Sequence, residues 1–279
     1  MKLFKIETGS FKLDGGAMFG VVPKVMWAKQ YPADENNQCN LVMRSLLIND
    51  GNRIVLIDNG LGEKQDEHFI KNFGLFGDDS LEKSLSTAGY SFDDITDIVL
   101  THLHFDHCGG TIKYNEKREL VPAFKNATVW SSQEQWELAM NPNKREKASY
   151  LKENFVPILE SGKLRLFDNN MFLTPNIELR LVHGHSSGQT IVYINYNGKT
   201  VIYTADLLPL VAQIPIPWVM SYDTRPLLTL EEKQSLLEEA VEKNQILFFE
   251  HDFYTECCTV KMTEKGIRLD KAMKFEEIL

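Results

Sequence analysis

Four short apolar runs in this chain each lead into a carboxylate or an imidazole. Asp58 follows "RIVLI", His102 follows "DIVLT", Asp206 follows "TVIYTA" and His251 follows "ILFFE". Aliphatic and β-branched runs of this length read as buried strands. Four strand ends delivering polar side chains point to one shared site at a sheet edge, where a rigid scaffold holds groups that remain open to solvent.

The second of these ends opens the segment "THLHFDHCGG", residues 101–110. The chain has seven histidines, and three of them fall within six positions there. Imidazole and carboxylate are ligands for Zn²⁺ and related first-row ions, so the crowding points to metal binding. In an extended segment alternate side chains project the same way, about 6.6–6.8 Å apart. His102, His104 and Asp106 would then share a side, and His107 would point elsewhere unless the chain turns. Four donors exceed what a catalytic zinc takes from one segment, and a pair of metals about 3.5–4 Å apart uses them better. Gly109 and Gly110 are expected to let the backbone turn tightly behind the site.

Strands and helices alternate through the rest of the chain. "LVMRSLLIND" and "NRIVLID" flank Asp50-Gly51, and "TIVYINY" and "KTVIYTAD" flank Asn197-Gly198, two hairpin signatures. Ser131 with Glu134 reads as a capping box before "QEQWELAM", and Thr229 with Glu232 as one before "LEEKQSLLEEAVEKN". In the latter helix Leu236, Leu237, Ala240 and Val241 form one apolar stripe. Residues 64–73 and 79–88 carry weaker helical signals. With 279 residues, no linker and no compositional break, a single domain over 1–279 is expected.

Thirty basic against thirty-nine acidic residues leave a net charge of −9, which argues against a nucleic-acid partner. Lys5 and Glu7 interrupt the N-terminal apolar positions, unlike a signal peptide, and no run of about 18 apolar residues suggests a membrane span. Cys39, Cys108, Cys257 and Cys258 form no CxxC pair and read as free thiols in a reducing cytoplasm.

"THLHFDH" resembles the HxHxDH signature of the metallo-β-lactamase-fold hydrolases. "VLIDNGLG", "LVHGHSSGQT", "YTADLLP" and "FFEHDF" are similar to further segments of that family in the same order, from about residue 40 to 255. The N-terminal "DGGAMFGVVPKVMW" resembles its quorum-quenching, lactonase-like branch. The resemblance implies an α+β fold, the four-layer αββα sandwich, with the ligand loops along one edge. It implies that His102, His104 and His185 hold one metal, that Asp106, His107 and His251 hold a second, and that Asp206 bridges both. It also places Asp58 near the site, where a carboxylate can take the second N–H of a metal-bound histidine.

Two divalent ions would acidify a shared water towards neutral pH, and the resulting hydroxide would attack a lactone or similar small ester. Zinc is the first expectation, with manganese, iron or cobalt compatible with the same donors. Asp106 is the candidate to carry a proton to the leaving group, and Tyr222 is a candidate donor to the substrate carbonyl. Met18, Phe19, Trp27, Trp218, Met220 and Tyr222 are weighed as an apolar pocket for an acyl chain against plain packing. His183, His68 and Cys108 are read as non-ligands. A thioesterase of the glyoxalase II kind, a phosphodiesterase and an organophosphate hydrolase compete within enzymes, and a metal-binding sensor on the same fold competes from outside them. The expected partner is a small-molecule substrate, with no nucleic acid and no membrane, and a homodimer stays open.

Overall fold

A computed structural model describes all 279 residues. The chain forms two compact units, Met1–Ser10 with Met43–Asn169, and Phe11–Val42 with Asn170–Leu279. Two of the three boundaries fall inside the first two strands, β1 (Lys2–Asp14) and β2 (Gln38–Asn49), and the third lies at Asn169 and Asn170, between strands.

The first unit carries β3 (Ile54–Ile57), β4 (Asp97–Val99), β5 (Ile112–Tyr114), β6 (Leu120–Pro122), β7 (Thr128–Ser132) and β8 (Leu164–Phe167). A six-stranded sheet runs β1-β2-β3-β4-β7-β8, and β5 and β6 form a separate ribbon. From β3 to β8 the neighbours in the large sheet are parallel. Parallel strands covered on both faces read as unbroken apolar runs, which accounts for "IVLI" and "DIVL". Leu47, Leu56, Ile98, Leu100 and Phe155 are fully buried in this unit's core, and each such side chain contributes about 1.5–3 kcal/mol by leaving water.

The second unit carries β9 (Met171–Thr174), β10 (Ile177–Val182), β11 (Gln189–Tyr196), β12 (Lys199–Tyr203), β13 (Ile246–Phe248), β14 (Cys257–Thr263) and β15 (Gly266–Met273). They form one seven-stranded sheet in the order β15 to β9. The β11–β12 turn is the expected hairpin, with Asn197 at φ 50° and Gly198 at φ 76°. The Pro226–Glu242 helix turns Leu236, Leu237 and Ala240 into the core.

Both expected capping boxes shift. The helix after β7 is capped by Ser132, whose hydroxyl accepts from the Gln135 N–H at 3.0 Å, one residue beyond Ser131. The long helix starts a turn before Thr229, at Pro226, because the fixed φ and missing N–H of proline suit the first helical position. Thr229 lies buried inside it and bonds back to the Arg225 carbonyl. Glu232 instead accepts the His183 and Gly184 N–H groups at 2.7 and 2.9 Å. No helix is long and apolar enough to cross a membrane.

Candidate metal centre

Strand topology decides where the donors emerge in each unit. In the first, Ile57 of β3 pairs with Val99 of the parallel β4, so both strands end at the same edge. Asp58 and His102 leave from there. In the second, β12 and β13 are parallel with Tyr203 opposite Phe248, and Asp206 and His251 each follow three residues later. The connection between β10 and β11, which carries His185, opens at the same end because Val182 pairs with Gln189 and Val192 with Tyr203.

In the first unit the chain does turn within the histidine-rich segment. Phe105–Cys108 is one helical turn. Asp106 therefore leaves the extended alternation expected for it, and His107 folds back beside His102, ring centroids 3.9 Å apart. His102 Nε2 lies 3.0 Å from His104 Nδ1, and His107 Nε2 lies 3.7 Å from Asp106 Oδ2. All four side chains are buried.

Asp58 anchors this half. It is fully buried and sits at φ 52°, a conformation that costs energy outside glycine. Its Oδ1 accepts the Thr101 N–H at 2.8 Å. Its Oδ2 accepts the Thr101 hydroxyl at 2.6 Å and faces His107 Nδ1 at 3.1 Å. The Thr101 hydroxyl oxygen in turn faces His102 Nδ1 at 3.1 Å. Asp58 thus faces His107 directly, in the place beside the histidine segment expected for it, and reaches His102 through Thr101.

The two glycines behind the segment serve close approach rather than a special φ. Gly109 has φ −61°. A Cβ there would sit 2.0 Å from the Leu61 carbonyl oxygen, and one on Gly110 would sit 2.4 Å from that of Asn59. Lys64 closes the same contact by donating to the carbonyls of Gly109 and, at 2.8 Å, of Ile112. Burial lowers the Lys64 pKa to about 8. Cys108 donates its thiol to the Leu103 carbonyl, and burial raises its pKa to about 12. His68 is exposed on a short helix and meets Asn72.

In the second unit Asp206 divides its carboxylate between two histidines. Oδ2 lies 3.2 Å from His185 Nε2, and Oδ1 lies 3.2 Å from His251 Nε2. The preceding Ala205 has φ 43°, a second strained residue at the site. The side-chain carbonyl of Gln189, oriented as its neighbours require, accepts the Asp206 and Leu207 N–H groups at 3.0 Å. His185 Nδ1 meets Asp223 Oδ1 at 3.0 Å, and His251 Nδ1 meets the Val42 carbonyl at 2.9 Å. His183 accepts the Gly188 N–H at its Nδ1, a local turn contact.

The donor chemistry of both units fits divalent metal ions. His107, His185 and His251 each engage an oxygen acceptor through Nδ1, and His102 faces a hydroxyl in the same way. Such outer contacts fix the tautomer of metal-binding histidines. A carboxylate presenting one oxygen to each of two imidazole nitrogens, as Asp206 does, has the form of a bridging ligand.

Residues 44–251 match the metallo-β-lactamase superfamily. The chain belongs to that superfamily. It is 26% identical over 219 residues to the N-acyl homoserine lactonase of Bacillus thuringiensis, covering 72% of this chain and 78% of that protein. The structure of a probable metal-dependent hydrolase from Staphylococcus aureus superposes with TM-score 0.89 at 32% identity, covering 99% of this chain and 97% of that one. The dizinc quorum-quenching lactonase AidC, solved with a lactonase product, superposes with TM-score 0.80 at 22% identity over 98% and 95% of the two chains. The fold is the metallo-β-lactamase fold, an α+β sandwich.

The apolar set read from sequence is mostly core. Met18, Phe19, Trp27 and Met220 are buried, with Phe19 stacked on Trp27 at 4.9 Å. Trp218 meets Phe19 edge-on at 6.1 Å. Tyr222 is 39% exposed, next to the His185 partner Asp223. Sequence reasoning passed over Asp223 because 38 residues separate it from His185. It also passed over an aromatic trio, Phe69, Phe73 and Phe105, with centroids 4.5–5.1 Å apart. The signal was available for Phe105, which stands between His104 and Asp106 in the signature itself.

Proposed function

We propose that the whole 1–279 chain works as one hydrolase domain, a dinuclear metal-dependent enzyme that opens a lactone or similar small ester. His102, His104 and His185 would hold one ion, Asp106, His107 and His251 the other, and Asp206 would bridge them. The observation that carries this reading is the divided Asp206 carboxylate, 3.2 Å from each of two imidazole nitrogens whose opposite sides are already engaged. The similarity to N-acyl homoserine lactonases and to a dizinc lactonase supports both the metal pair and the substrate class. Zinc is the first choice of metal on the same grounds.

When bound, the ions supply Lewis-acid activation of a water and of the substrate carbonyl. The protein's part is orientation and proton handling. Water adds to the carbonyl carbon, the ring C–O bond breaks, and the departing oxygen must gain a proton. Asp106 is the carboxylate proposed to deliver it, held at one end of a short helical turn beside His107. Phe69, Phe73 and Phe105 offer a concentrated apolar surface beside the histidine segment, suited to an acyl chain. Tyr222 offers a phenol for the substrate carbonyl oxygen.

The test is metal removal with a chelator, then reloading with Zn²⁺ or Mn²⁺, with turnover followed on lactones, thioesters, phosphodiesters and organophosphates. Two metals per chain and recovered lactone hydrolysis are expected. Preference for a thioester or a phosphorus ester would replace the substrate class. Ligand binding without any turnover would favour a sensor, and zero metal after careful loading would end the proposal.

A further inference from the structure

His104 is turned the opposite way from the other histidines of its segment. His102 and His107 direct Nδ1 outward, to the Thr101 hydroxyl and the Asp58 carboxylate. His104 instead directs Nδ1 inward, 3.0 Å from His102 Nε2. Its Nε2 faces outward, 3.7 Å from Glu146 Oε1.

Glu146 belongs to a loop fastened to the histidine segment at several points. It is buried, with 4% of its surface exposed. The Tyr150 hydroxyl lies 2.9 Å from Gln135 Oε1 and 3.3 Å from Glu146 Oε1, and the Tyr150 ring packs on the His104 ring with centroids 4.9 Å apart. Asn143 donates its side-chain amide to Glu146 Oε2 and accepts the Glu146 N–H on its own side-chain oxygen. The Phe105 N–H donates to the Ser149 carbonyl at 3.0 Å, and the Ser149 N–H donates to the Glu146 carbonyl at 2.8 Å. A buried carboxylate held this firmly sets the orientation of what it faces.

We propose that Glu146, braced by Asn143 and Tyr150, is a positioning residue that holds His104 with Nδ1 toward the metal side and the Nε2 proton toward the Glu146 carboxylate. The inference rests on the two-metal reading above. It assigns the 143–150 loop the task that Asp58 performs for His107.

The test compares wild type, Glu146→Gln, Glu146→Ala and Tyr150→Phe in the full chain. Zn²⁺ affinity is read by chelator competition, and histidine tautomers by ring ¹⁵N NMR of the zinc-loaded protein. The expected loss of affinity for Glu146→Ala is about 10- to 100-fold. Glu146→Gln, which keeps an Oε1 acceptor, should recover most of it, and Tyr150→Phe should lie between. Wild type should show one ligand histidine protonated at Nε2 among others protonated at Nδ1, and that resonance should be displaced in Glu146→Ala. Wild-type affinity and an unchanged histidine spectrum in Glu146→Ala would overturn the proposal. Equal loss in Glu146→Ala and Glu146→Gln, with metal-free melting lowered alike, would reduce Glu146 to packing and overturn it too. Wild type that takes up no metal would instead bring down the two-metal reading, and this inference with it.

Discussion

Single residues set the chemistry of each half by how they are held from behind. Asp58 reaches both His102, through Thr101, and His107, so its removal disturbs two proposed ligands together. Asp58→Ala is expected to weaken zinc binding by at least the about 10- to 100-fold typical of such partners. Chelator competition checks it, and unchanged affinity would show that the imidazoles hold their own orientation. The cysteines give an independent check on burial. All four are buried, and desolvation raises the thiols of Cys39 and Cys108 to about 12. The thiolate is the reactive form. Iodoacetamide should therefore modify the folded protein slowly at pH 8 and the unfolded protein rapidly, as mass spectrometry would show.

At the scale of elements, two contacts tie the loops that carry the proposed ligands to their supports. Gly109 leaves no space for a methyl group against the Leu61 carbonyl. Gly109→Ala should destabilise toward the upper end of the about 0.5–3 kcal/mol common for point mutants, and should reduce metal uptake as the segment shifts. A denaturant midpoint and a metal analysis report the two effects separately. In the second unit Lys233, almost wholly buried, donates to the carbonyls of Gln213, Pro215 and Trp218 at 2.9, 3.3 and 2.7 Å. It thereby fastens the connection between Asp206 and Asp223 onto the long helix. Lys233→Met would leave buried carbonyls without their donor, each worth about 1–3 kcal/mol.

The same lysine gives a pH dependence with a definite sign. Burial pushes its pKa down to about 7, from 10.5 in the unfolded chain, with Asp223 opposing the shift. Between those values the unfolded state binds more protons than the folded state, so this group makes stability rise with pH. The contribution is least favourable below about 7 and is complete above 10.5. Denaturant midpoints at pH 6.5 and 9 should show this rise in wild type and its reduction in Lys233→Met.

For the whole molecule, metal binding and stability should be linked. Ligands that bind only the folded state add their binding free energy to its stability. Zinc loading is therefore expected to raise the melting temperature and chelation to lower it reversibly. A melting temperature indifferent to chelator, in protein shown to have contained metal, would count against a site assembled by folding.

The sequence by itself pointed to the family and to the strand ends that carry the His and Asp side chains of the proposed site, because those depend on local runs such as "RIVLI" and on the fixed spacing of "HLHFDH". It also pointed correctly to Asp58. It could not place Asp223, Glu146 or Lys233, whose partners lie 38, 42 and up to 20 residues away and meet only in the folded chain. The caps moved because proline geometry and a competing use of Glu232 outweighed local motif chemistry. Which nitrogen each histidine turns inward was decided only by tertiary structure, since it depends on the carboxylate or carbonyl that packing brings to the other side of the ring.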